Sequence, residues 1–172
     1  MELQEALSVA IQYEHKVRDH YAQCARKVQD PKGRKVFATL AREEQGHVEY
    51  LESRLAEWRD RGVVTVAELP TVLPSLAWIQ AAAKRFAPRP GGRAPAPGGP
   101  ELEFLKQALE LEHKTSAFYR DLVAQLESGW RGLFSRFLEI EDGHVTLVQA
   151  EIDALAGHGH WFDFMEFSLE QA

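Results

Sequence analysis

Two short stretches set a carboxylate and an imidazole at the same spacing. EEQGHVEY, residues 43–50, carries Glu44 and His47, and IEDGHVTL, residues 140–147, carries Glu141 and His144. A Glu and a His three residues apart share one face of a helix, so each stretch offers an oxygen and a nitrogen donor toward one point. Two more glutamates, Glu14 in YEHKVRDHY and Glu112 in LEHKTSAFY, interrupt otherwise apolar helical stripes. Four bare carboxylates buried together would be prohibitively costly, and some would have to take up protons. Two divalent cations remove the problem, because four positive charges balance four negative ones. Glu14, Glu44, His47, Glu112, Glu141 and His144 are therefore read as metal ligands. Carboxylate oxygen plus imidazole nitrogen suits iron or manganese, with zinc as a further candidate.

These side chains need long helices to hold them, and the apolar periodicity supplies four. The first runs over 3–28, with Leu7, Ala10, Ile11, Glu14, Val17, Tyr21, Ala25 and Val28 on one stripe. A turn at Asp30-Pro31 and Gly33 leads to the second, 33–61, with Gly62 as its stop. The third spans 101–127 and breaks at Ser128-Gly129; the fourth spans 130–156 and ends at Gly157 and Gly159. The connection over 62–100 is far longer than a usual loop. Within it LPSLAWIQAAAKRF reads as a short helix with Ser75 as N-cap, and APRPGGRAPAPGGP as flexible or extended. Two separate helix pairs would each expose a long apolar stripe. One all-α domain over 1–172 buries them: a four-helix bundle of two helix pairs, 1–61 and 101–157, with a crossover and a tail, 158–172.

The halves repeat one another. Glu14, His15, Lys16 and Tyr21 match Glu112, His113, Lys114 and Tyr119; Phe37, Glu44, Gly46, His47 and Val48 match Phe134, Glu141, Gly143, His144 and Val145. Such a repeat packs naturally about a pseudo-twofold axis. Tyr21 and Tyr119 each follow a ligand Glu by two helical turns. Their hydroxyls are expected to hydrogen-bond a ligand carboxylate from another helix and orient it. Arg18 reads as a structural ion pair, and His15 and His113 as flank residues about 100° from the site axis. Gly46 and Gly143 sit about 200° round their helices from the ligand Glu. They are expected to permit close approach by something outside the bundle, a second subunit or the tail, or else to distort the helix locally.

Composition narrows the class. Net charge of −6 over 172 residues argues against a general nucleic-acid binder. The acidic, amphipathic MELQEALSVAIQYEHK is not read as a signal peptide. No apolar run approaches the roughly 20 residues of a membrane span. Cys24 is the single cysteine, which excludes an internal disulfide or a Cys-based metal cage. A cytoplasmic setting is expected.

The motifs YEHKVRDHY, AREEQGHVEYL, LEHKTSAFY and LEIEDGHVTLV resemble the rubrerythrin group of ferritin-like di-iron carboxylate proteins, over nearly all of both helix pairs. The resemblance implies a non-haem di-iron centre ligated by the six residues above, with Glu44 and Glu141 bridging. It also implies a homodimer or higher oligomer, sometimes with exchanged helices. Two departures stand out. Rubrerythrins usually carry a rubredoxin-like domain with two Cys-x-x-Cys pairs; here electrons would come from an external donor such as a rubredoxin-like protein. They usually carry an extra Glu where this chain has Thr115, which leaves a more symmetric six-ligand site.

The expected activity is an oxidoreductase that reduces hydrogen peroxide, or reacts with dioxygen, at a Glu4His2 centre. The alternatives are a ferroxidase or iron-handling protein, and a non-enzymatic helical interaction module. In the tail, Trp161, Phe162, Phe164 and Phe167 are read as capping the bundle end, packing on a neighbouring subunit, or docking a partner.

Overall fold

The computed structural model describes residues 2–84, 99–126, 128–162 and 164. Most of APRPGGRAPAPGGP, and Phe167, lie outside them. The described chain forms five helices and no strand: α1 Leu3–Lys27, α2 Pro31–Arg61, α3 Leu76–Ala83, α4 Pro100–Gln125 and α5 Ser128–His158. No helix among the described residues is long and apolar enough to cross a membrane.

Local chemistry sets the ends. Pro31 does not form the expected turn; it is the first residue of α2, where its missing N–H costs nothing. Asp30 is the N-cap, and its carboxylate accepts the Lys32 N–H at 2.7 Å. Gly62 closes α2 at φ 67°, and Gly159 follows α5 at φ 73°, left-handed conformations that favour glycine. Gly157 is not a stop; it lies inside α5. Ser75 caps α3 through the Trp78 N–H at 3.3 Å.

Helix α1 packs along α2, α4 along α5, and α1 also meets α4. The buried residues of α1 (Leu3, Ala6, Leu7, Ala10, Glu14, Val17, Tyr21 and Cys24) recur every three or four positions, so one stripe carries both the core and Glu14. The apolar core falls into two clusters. One gathers Leu3, Leu7, Ala10, Leu51, Tyr119, Phe134 and Phe137. The other gathers Val17, Tyr21, Phe37, Leu40, Leu105, Ala108 and Leu147. Along each long helix the buried carboxylate falls where the chain leaves one cluster for the other. Each fully buried Leu or Phe contributes about 1.5–3 kcal/mol, and these two layers hold the polar layer between them.

Helix α3 and the described tail residues pack beside the bundle. Helix α3 packs against α5, and Ile79, Ala82, Ala150, Ala154, Trp161, Phe162 and Phe164 share one cluster. Glu151, fully buried, accepts the Phe162 N–H at 2.9 Å. Trp161 packs edge-on against Phe37 and lies directly over Gly33, where a Cβ would stand 2.4 Å from its indole. Before α3 the crossover has no regular structure. It is tied to α2 by Glu57, which accepts the Thr65 N–H at 2.9 Å, and by the Tyr50 hydroxyl on the Ala67 carbonyl at 2.6 Å.

The two glycines of the repeat differ in their surroundings. The nearest atom to a Cβ on Gly143 would be Ile79 Cδ1 at 3.8 Å, an ordinary contact, so the element over this face is α3. A Cβ on Gly46 would meet nothing within 4 Å. Both helices are α-helical through these positions. Nothing in the structure explains a glycine at position 46.

Candidate metal centre

Helices α1, α2, α4 and α5 each deliver a carboxylate to one buried layer. Glu14, Glu44, Glu112, Glu141, His47 and His144 all have 0% exposure. The spacing within each helix does the positioning: Glu44 with His47, and Glu141 with His144, point inward from consecutive turns. The two imidazoles stack with centroids 5.6 Å apart and planes 8° from parallel. Each turns Nδ1 toward the carboxylates. His47 Nδ1 is 3.1 Å from Glu14 Oε2, 3.1 Å from Glu44 Oε2 and 3.5 Å from Glu141 Oε1. His144 Nδ1 is 2.8 Å from Glu44 Oε1 and 3.7 Å from Glu112 Oε2 and Glu141 Oε1.

The donors sort into two groups of four. Glu14, Glu44, His47 and Glu141 form one; Glu44, Glu112, Glu141 and His144 form the other; within each the donor atoms lie within 4.8 Å of one another. Glu44 and Glu141 belong to both. Each group is large enough to hold a metal ion.

The tyrosines complete the layer as reciprocal struts. The Tyr21 hydroxyl donates to Glu112 Oε1, and the Tyr119 hydroxyl donates to Glu14 Oε1. Each phenol on α1 or α4 thus holds the carboxylate of the other. Burial, then the nearby carboxylate charges, pushes both phenols well above 10, so they keep their protons.

Protein groups alone leave this layer electrostatically unbalanced. Glu44 Oε1, Glu112 Oε2, both Glu141 oxygens, His47 Nε2 and both His144 nitrogens are buried without a hydrogen-bond partner. Such orphans are rare in folded proteins. Burial, with the Glu44 charge, pushes Glu14 up from 4.5 to about 7 against the opposing pull of His47. Burial, with the charges of Glu14 and Glu44, pushes Glu141 well above the usual range. Burial works against ionisation of Glu44 too, yet the two histidines outweigh it and hold Glu44 well below the usual range. Burial likewise opposes charging of the histidines, but Glu44 and its neighbours raise both well above 6.5. Without metal, burial and neighbouring charge thus favour the protonated forms of Glu14 and Glu141, and neighbouring charge those of both imidazoles. Bound cations would replace those protons and satisfy the orphan atoms, so the donor set fits metal.

The other candidates fall outside this layer. Arg18 pairs with Asp19 at 2.7 Å and donates to Gln45 Oε1 at 3.1 Å. At the matching place in the repeat, the Ser116 hydroxyl donates to Asp142 Oδ1 at 2.6 Å. His15 lies 3.7 Å from Glu52, away from the site. Thr115 is buried and donates to the Leu111 carbonyl at 3.0 Å, so it adds no ligand. Sequence reasoning missed Glu43. It is buried, accepts the Thr71 hydroxyl and the Val72 N–H, and groups with His47 and His144. The available signal was its place four residues before His47, on the same helix face.

Fold and site together define a chain whose described regular structure is all helical, with buried Glu and His clusters that could hold metal ions. No family model, curated protein or solved structure matches the chain.

Proposed function

We propose that this protein is a non-haem di-iron oxidoreductase of rubrerythrin-like character, built on a ferritin-like bundle of two repeated helix pairs. It reduces hydrogen peroxide, or reacts with dioxygen, and takes electrons from a separate donor such as a rubredoxin-like protein. The observation that carries this reading is the pair of four-donor groups that share Glu44 and Glu141. In the peroxide reaction, two electrons and two protons convert one peroxide into two waters.

Irons held there would supply Lewis acidity and electrons for peroxide reduction. The residues supply the rest. Glu44 and Glu141, common to both donor groups, would serve both ions; Glu14 with His47, and Glu112 with His144, would complete one group each. Tyr119 and Tyr21 fix the carboxylates of Glu14 and Glu112 by hydrogen bonds. Phe137 stacks on Tyr119 and packs edge-on to His47, which keeps bulk water from that side. A cavity of about 210 Å³ on the α3 side is lined by Thr71, Leu73, Ile79, Ile140, Gly143 and His144.

Anaerobic Fe(II) loading followed by metal analysis and stopped-flow mixing tests the proposal. Two irons per chain, and oxidation far faster by peroxide than by dioxygen, are the expected results. A chain that takes up no iron and gains no thermal stability from it would refute the metal centre. Many irons accumulating per chain would transfer the function to iron oxidation and storage.

A further inference from the structure

Glu43 has no counterpart in the repeat, since the matching position is Ile140. Its side chain is almost fully buried, and both oxygens are engaged by the crossover. Oε1 accepts the Thr71 hydroxyl, and Oε2 accepts the Val72 N–H at 3.0 Å. That double hold fixes where the carboxylate points. Oε1 lies 3.8 Å from His47 Nε2. One Glu43 oxygen and one ring nitrogen of each histidine all fall within 4.8 Å of one another. His47 uses Nδ1 toward Glu14 and Glu44, and its Nε2 is buried with no hydrogen-bond partner.

A histidine that gives Nδ1 to a metal carries its proton on Nε2, and the group receiving that proton sets ring orientation and ligand basicity. We infer that Glu43 is a positioning residue: it accepts the Nε2–H edge of His47, directly or through one water, and keeps Nδ1 turned to the metal. His144, stacked on His47 and also near the carboxylate, receives a weaker share of the same effect. The irregular crossover thereby reaches the centre, because Thr71 and Val72 set the position of Glu43. This inference rests on the metal-centre reading above.

The test uses the full chain loaded with Zn(II), which is diamagnetic. Long-range proton–nitrogen NMR on histidine-labelled wild type should show His47 bound through Nδ1, with an Nε2 proton that exchanges slowly. Glu43→Ala should weaken Zn(II) binding about 10–100-fold, and shift and expose that proton. Glu43→Gln, which keeps a carbonyl acceptor, and Thr71→Val, which removes one restraint, should fall between. An E43A chain with wild-type affinity and an unmoved His47 proton would overturn the inference, even if its melting temperature fell; Glu43 would then serve only to anchor the crossover. Should E43A fail to fold, the wild-type spectrum and E43Q decide: His47 bound through Nε2, or E43Q identical to wild type in both readouts, overturns it. A wild type that binds no Zn(II) and no Fe(II) instead overturns the metal centre itself, and this inference with it.

Discussion

The metal-free protein should lose stability as pH rises through neutrality, because burial favours the protonated forms of its inner carboxyls and carboxylate charge those of its inner imidazoles. Glu14 shows why. Its carboxyl is raised from 4.5 to about 7 by burial and by Glu44. A group with a raised native value stabilises the fold fully below its unfolded value, and that contribution disappears as pH climbs through the native one. At 1.36 kcal/mol per pH unit, Glu14 alone is worth about 3 kcal/mol between pH 4.5 and 7. Glu141 and both histidines shift in the same direction. For a chain of this size 1 kcal/mol moves the melting temperature by roughly 2–4 °C, so Glu14 contributes a fall of about 6–12 °C from acid to mildly alkaline pH. Calorimetric melts of the chelator-stripped protein from pH 5 to 8.5 measure it. Glu14→Gln mimics the protonated carboxyl and keeps the acceptor for Tyr119, so its melting curve should lose the Glu14 share of this slope. Metal loading should reverse the trend, since the cations compete with the same protons. If the stripped wild type and E14Q show parallel pH profiles, the layer is not carrying the protons that its geometry demands.

Four further outcomes are expected. Glu141→Ala should reduce stoichiometric metal binding to one ion or none by metal analysis, because both four-donor groups lose a shared member. Tyr119→Phe removes the hydroxyl that holds Glu14; metal affinity measured by chelator competition should fall by up to about tenfold, in keeping with loss of an orienting partner. Gly33→Ala drives a methyl into the Trp161 indole and should cost about 1–3 kcal/mol in denaturant unfolding. Gly46→Ala meets open space in mid-helix and should stabilise by up to about 1 kcal/mol, with metal binding unchanged.

How far the sequence reveals this molecule depends on whether a feature is periodic. The six donors and two tyrosines recur at helical spacing in both halves, so a one-dimensional pattern places them in one layer. Pro31 reads equally as a turn or a helix start, because proline breaks a helix interior yet suits its first residue; only the Asp30 cap distinguishes the two. Glu43 escaped because matching the halves hides what they do not share, and because its partners Thr71 and Val72 lie on an aperiodic segment. Position alone lets Gly143 admit a second subunit or the tail, or distort the helix locally. The element that covers it is α3, and a short helix's docking side depends on the path of the chain between elements, which no local pattern encodes. Trp161, Phe162 and Phe164 are buried within the chain, an outcome that their composition alone could not separate from packing on a neighbour.

The pairing of Glu43 with Ile140 has an evolutionary reading. Were the bundle assembled from two identical hairpins, any acid behind one histidine would be copied behind the other, and a second buried charge would come with it. With both hairpins on a single polypeptide, one copy can mutate alone. Carrying both hairpins on one chain leaves each free to change without the other, a freedom that identical subunits of a symmetric dimer lack.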